Sequence, residues 1–176
     1  MRLSKTLVAL LLCAATFPLT PVAAAARPSQ KARAKTQAPA THTEITKEKI
    51  ETIVSTLEQA GKKKDVAVII PYLAPDMTYK LEGGGRPPRH ANRAHYIELT
   101  KIGFALMLDH VYMRKSLTIK VAPDGQSATA QTAGYEMLTL AQGTVAGHTT
   151  SLVIFKIYKG KILIASMESA TEYVQR

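Results

Sequence analysis

The sequence predicts an α+β domain in which helices come first and a sheet of antiparallel strands follows. Three observations carry this. Apolar residues recur at helical spacing as far as about Asp109 and alternate with period two after it. Four alternating runs, residues 111–121, 127–140, 149–158 and 161–173, are separated by Pro123-Asp124-Gly125, by Gly143 to Gly147 and by Lys159-Gly160. Connections this short join strands running in opposite directions, because a parallel crossover needs about a dozen residues or more. Helices followed by strands, without βαβ alternation and without an internal repeat, exclude a doubly wound sheet.

Each element has a local cause. From Thr46 the segment TKEKIETIVSTLEQAG places Ile50, Ile53, Val54, Leu57 and Ala60 on one helical face, with Gly61 as the expected stop. Lys62, Lys63 and Lys64 then sit at the negative end of the helix dipole, a structural role. Asp65 can cap a short second helix through Ile70, which Pro71 and Pro75 keep from extending. Leu73 to Asp76 reads as a turn, Met77 to Leu81 as a short strand, and Glu82 to His90 as a loop rich in Gly and Pro. Asn92 is the expected N-cap of a third helix ending near Asp109. That helix carries Ile97, Phe104, Ala105 and Leu108 on one side and Leu99, Ile102 and Leu106 on another, which predicts burial on more than one side.

The first 26 residues have the order of a secretory signal peptide: Arg2 and Lys5, an apolar run from Leu7 to Ala15, then small residues up to Ala26. The run is too short to span a bilayer. Cleavage is expected after Ala25 or Ala26. Cys13 is the single cysteine, and Leu12 before it disfavours a lipoprotein site. A mature chain without cysteine excludes disulfides, thiolate catalysis and cysteine-bound zinc. Residues 27–43 carry Arg27, Lys31, Arg33 and Lys35 and no acid, so a large part of the net charge of +10 lies outside the domain. Their Pro, Ala, Thr and Gln content cannot bury enough apolar area to fold, and they are expected to be a basic tether. The tether has no aromatic residue to stack on bases, which argues against nucleic acid. Weak attraction to an anionic membrane surface remains open beside a plain solubilising role. The globular domain is expected to be residues 44–176.

The element order, together with Tyr72-Leu73-Ala74-Pro75-Asp76, Ala94-His95-Tyr96-Ile97-Glu98, Asp124-Gly125-Gln126-Ser127-Ala128 and Lys159-Gly160-Lys161-Ile162, resembles the nuclear transport factor 2-like superfamily, which includes SnoaL-like proteins. The resemblance covers about residues 44–174. It implies a strongly curved sheet wrapped around about three N-terminal helices, a cone whose open end is a pocket. It also implies a homodimer formed through the outer sheet face, to which Tyr112, Tyr135 and Tyr158 could contribute. Members include isomerases, dehydratases, hydrolases and cyclases as well as proteins that only bind, so the resemblance does not settle function.

Residues that could project into such a cone are Tyr79, Tyr96, His110, Glu136, His148 and Glu168. None of them matches the tyrosine and aspartate pair of the isomerases, because no aspartate falls in the late strands. Glu168 lies among small and apolar residues, where a carboxylate would need a partner or a raised pKa; alternation could instead point it at solvent or Lys156. Glu136 follows Ala128, Ala130, Thr132 and Gly134 at spacing two and shares their face, unless the strand's end exposes it. Asp109-His110 resembles a catalytic pair, but sequence neighbours diverge where a helix becomes a strand. No HxH, HxxxH or HExxH motif supports a metal, and no P-loop or dinucleotide fingerprint supports a cofactor. Arg86, Arg89 and Arg93 form a basic loop edge that could meet an anion or simply be solvated.

These readings lead to an exported domain, periplasmic or secreted, that binds a small and mostly apolar ligand or an envelope protein. Tyr79, Tyr96, His110, Glu136 and Glu168 are its pocket candidates, with neither metal nor cofactor expected. The alternatives are a SnoaL-like isomerase, dehydratase or hydrolase using Glu136 or Glu168 as base, and a structural envelope protein.

Overall fold

The computed structural model describes residues 44–83 and 86–174; the signal peptide and tether expectations fall outside these residues. Helix α1 is Lys47–Lys62, α2 is Val66–Ile69 followed by a single 3₁₀ turn Ile70–Tyr72, and α3 is Arg93–Leu106. The strands are β1 Leu73–Gly83, β2 Arg86–Asn92, β3 Met107–Val121, β4 Ser127–Leu140, β5 Gly143–Tyr158 and β6 Lys161–Val174. They form one curved sheet in the order β2-β1-β6-β5-β4-β3. Every neighbouring pair is antiparallel except β1 with β6, which is parallel, so the sheet is mixed rather than wholly antiparallel.

The caps explain the helix boundaries. Thr46 Oγ1 accepts from Lys49 N at 3.4 Å, Asp65 Oδ1 from Val68 N at 3.3 Å, and Asn92 Oδ1 from His95 N at 3.0 Å. Gly61 does not stop α1. The helix continues to Lys62, and the left-handed residue is Lys64, with φ 56°. Lys64 N bonds Gly61 O at 3.0 Å and Asp65 N bonds Ala60 O at 2.8 Å, the paired closure that usually takes glycine at the left-handed position. The lysine has its own use there: its Nζ donates to Met107 O at 2.9 Å and ties the end of α1 to the start of β3.

Three other boundaries differ from the sequence expectation. Leu73 to Asp76 is not a turn but the start of β1, because Leu73 pairs with Ile164 of β6. The stretch read as a loop before Asn92 holds β2, an edge strand that tolerates Pro87 and Pro88 because both fall in the break of its pairing with β1, between Arg86 and Arg89. The β4–β5 connection is tighter than Gly143 to Gly147, since Leu140 already pairs with Gly143. Lys159 and Gly160, at φ 50° and 77°, form the expected two-residue turn.

The core lies where α1 meets one end of the sheet. Phe155, Ile45, Ile50, Met77 and Ile164 are the largest fully buried side chains, joined by Ala74, Ala128 and Ala130. Burying Phe155 alone contributes roughly 1.5–3 kcal/mol. Ile45 N donates to Gly125 O at 2.9 Å, which pins the start of the domain to the β3–β4 turn. Helix α3 departs from expectation. It has no fully buried residue, Ile102 and Leu106 are exposed, and Leu108, at a bulge in β3, is 64% exposed. Only Tyr96, Ile97 and Phe104 pack against the core from that segment.

Candidate functional site

Cross-strand register shows which side chains share the inner face of the sheet, the face that α1 covers. At the closed end run Val121, Ala128, Phe155, Ile164 and Leu73, followed by Ile119, Ala130, Val153, Met167 and Tyr79. Next come Leu117, Thr132, Ser151, Ser169 and Leu81, and then Arg114, Gly134, Thr149, Thr171 and Gly83. Tyr112, Glu136, Gly147 and Tyr173 form the last full row before His110 and Leu138. The face therefore passes from aliphatic to hydroxyl-bearing to charged along the strands.

At the charged end a hydrogen-bonded chain crosses four strands. His110 Nε2 lies 2.9 Å from Glu136 Oε1, Thr149 Oγ1 lies 3.2 Å from Glu136 Oε2, and the Thr149 and Thr171 hydroxyls are 3.1 Å apart. An ionised carboxylate only accepts, so Thr149 donates to Glu136 and receives from Thr171. A second hydroxyl pair, Ser151 and Ser169 at 2.9 Å, sits one row deeper. The rings of Tyr79 and Tyr96 meet edge to face with centroids 4.9 Å apart. Arg114 reaches Glu58 of α1 at 3.2 Å.

Two glycines shape this region. A Cβ at Gly134 would stand 2.7 Å from the Tyr112 ring, so glycine lets that ring lie across β4. A Cβ at Gly147 would meet Glu172 O at 2.6 Å and Thr171 Cγ2 at 3.1 Å, so glycine lets β6 and the Thr171 side chain close up beside Glu136.

The ionisable groups respond to these contacts. The hydrogen bond to Glu136 raises the His110 pKa against the opposing effect of burial, helped by the Glu136 charge. Its Nδ1 is buried without a hydrogen-bond partner. Tyr79, Tyr96 and Tyr112 are all pushed upward by burial and stay protonated donors at neutral pH.

Of the five pocket candidates, Tyr79, Tyr96, His110 and Glu136 come together on this side. Glu168 does not. It is exposed on the opposite face, beside Lys80 and Leu152, and the physical reason is a bulge. Phe155 pairs with Ile164 and Ile154 with Ser166, so Ala165 is an extra residue that flips the phase and turns Ser169 inward in place of Glu168. Asp109 and His110 are not a pair, since the Asp109 carboxylate accepts only the His110 backbone N–H at 2.9 Å. His148 is exposed on the outer face against Tyr135. Tyr112, considered for an outer interface, faces inward. Arg93 is committed to Leu73 O at 3.3 Å.

Sequence reasoning missed Thr149, Ser151, Ser169, Thr171, Tyr112 and Arg114. The first two were within reach, because they precede the apolar Val153 and Phe155 at spacing two. Among the described residues no cluster of three or more His, Asp or Glu side chains could hold a metal ion.

No family model and no curated protein matches the sequence. Solved structures do. An NTF2-like protein of unknown function from Pseudomonas putida KT2440 is similar with a TM-score of 0.60 at 15% identity, over 70% of this chain and 84% of that one. A proposed dehydratase of the NTF2-like family from Streptomyces avermitilis has a TM-score of 0.59 at 11% identity, over 73% and 96% of the two chains. A ketosteroid isomerase-like protein from Erwinia carotovora atroseptica SCRI1043 has a TM-score of 0.54 at 20% identity, over 69% and 92%. The chain has the NTF2-like fold, the α+β cone that its element order resembles.

Proposed function

We propose that the domain binds a small molecule at the open end of the curved sheet, with Glu136 as the polar anchor, in a protein that works outside the cytoplasm. The observation that carries this reading is that, among the described residues, no polar or charged residue is fully buried, while the closed end of the same face is lined by buried apolar side chains. Glu136, its partners and the hydroxyl rows keep partial solvent access, as a site awaiting an occupant requires. Native mass spectrometry of gently purified protein tests it. The wild type should carry an added species of several hundred daltons that Glu136→Gln loses while remaining folded. An empty wild type that also ignores a small-molecule library in thermal-shift assays overturns the reading. Peptide mapping of the exported protein should find a mature N-terminus at Ala26 or Arg27.

A second reading is favoured by one contact, the 2.9 Å approach of His110 to Glu136. A carboxylate held by an imidazole and a hydroxyl can move a proton to or from carbon next to a carbonyl. Deuterium incorporation into a panel of cyclic ketones, abolished by Glu136→Gln, would favour an enzyme; no exchange above the variant's background would leave binding as the function.

A further inference from the structure

The two edges of the sheet are built differently. β2 is short, seven residues, and carries Pro87 and Pro88, whose nitrogens cannot donate to a foreign strand. β3, the other edge, is fifteen residues long without proline or glycine, and among the described residues no strand pairs with its outer side. Exposed apolar side chains gather where it begins: Ile102, Leu106, Leu108 and Met113. We infer that β3 is an interface, pairing antiparallel with β3 of a second copy of this chain about a two-fold axis at Tyr112. This surface differs from the outer sheet face that the family resemblance implies.

The backbone selects the axis. Bulges at Leu108 and Lys115 bracket a regular stretch from Asp109 to Arg114. Within it the His110 backbone N–H donates to the Asp109 carboxylate at 2.9 Å, which a donor aimed at β4 would not do, so it points to the open side. Backbone groups alternate in direction along an antiparallel strand; Tyr112 and Arg114 therefore point the same way, while Asp109, Val111 and Met113 point towards β4. An axis at Tyr112 sets that residue opposite itself and His110 opposite the partner's Arg114. The outward groups then satisfy one another in about six hydrogen bonds, whereas an axis at Val111 or Met113 forms only about four within the same stretch.

The side chains agree with the backbone. On the outer face the same axis brings Asp109 opposite the partner's Lys115 and Val111 opposite the partner's Met113, each twice by symmetry. Asp109, Met113 and Lys115 are all exposed in the single chain. Asp109 exchanges its own backbone N–H for an ammonium, and that N–H gains the partner's Arg114 carbonyl. On the inner face His110 meets the partner's Arg114, but each already holds a carboxylate of its own, Glu136 and Glu58. Opposite charges placed to complement themselves across a two-fold axis are what a second copy offers and an unrelated strand does not.

Sedimentation velocity of the full-length chain over a concentration series tests this, with Asp109→Lys, Lys115→Asp and the double exchange. Circular dichroism checks that these surface changes leave the fold intact. The wild type should dimerise. Each single variant should weaken the dimer by about ten-fold or more, because two attractions become two repulsions, and the double exchange should restore it to within about three-fold. Hydrogen exchange should find the His110, Tyr112 and Arg114 amides protected in the dimer and exposed on dilution. A wild type that stays monomeric at its highest soluble concentration overturns the inference. So does a dimer that both single variants leave intact while those amides exchange rapidly, which puts the contact on another surface. A double exchange that recovers nothing overturns the pairing about Tyr112.

Discussion

Replacing Glu136 by Gln separates an ionic pair from a neutral hydrogen bond without changing shape. His110 and Glu136 side chains are 11% and 24% exposed, so their contact is largely but not wholly withdrawn from water. A hydrogen bond to a charged group in such a place contributes about 1–2 kcal/mol after allowance for screening. The sign follows from His110, whose pKa in the folded protein lies above its ordinary value. The stabilisation is therefore complete at pH below the unfolded imidazole value and is lost as pH rises through the folded one. Urea unfolding at about pH 6 should show Glu136→Gln less stable than wild type by about 1–2 kcal/mol, and at about pH 9 the difference should shrink towards zero. NMR titration of the His110 ring supplies an independent reading, with its midpoint falling in the variant. A cost that is the same at both pH values, with an unmoved His110 titration, would refute the ionic account and mean that a neutral imidazole donates to the carboxylate.

Other perturbations follow from the packing. Gly134→Ala should cost about 1–3 kcal/mol in chemical denaturation, because the added Cβ meets the Tyr112 ring at 2.7 Å, and pairing it with Tyr112→Ala should recover part of that loss. Gly61→Ala should raise stability by about 0.5–1 kcal/mol, since the site is helical and nothing lies within 4 Å of the new methyl group. Phe155→Ala should destabilise by about 3–5 kcal/mol, large enough to read as a collapsed thermal transition, because the side chain is fully buried at the closed end of the sheet.

The helices and the β3–β6 meander could be read from the sequence because their signals are local: Thr46, Asp65 and Asn92 as caps, and the alternation of β4 that carried the prediction for Glu136. What escaped depends on partners distant in sequence. Nothing near Leu73 announces a strand, since its extended conformation is imposed by β6. Ala165 carries no mark of a bulge, yet that one residue decides that Ser169 rather than Glu168 faces inward. His110 could be named as a candidate, but its partner could not, because Glu136 lies 26 positions away and only the β3–β4 register sets them diagonally. The length and burial of α3 were misjudged for the converse reason. An apolar segment suggests burial, but here the last turn of α3 and the Leu108 bulge remain exposed.

The parallel pairing of β1 with β6 has a consequence for how the chain acquires its shape. In the order β2-β1-β6-β5-β4-β3, the last strand made is the one that joins the β1–β2 hairpin to the meander. Until β6 exists, the two parts share no ladder, and the apolar edge of each lacks its neighbour. A chain synthesised from its N-terminus therefore cannot complete the sheet stepwise; it must hold both parts unfinished and close them together, over a loop long enough to make that closure slow.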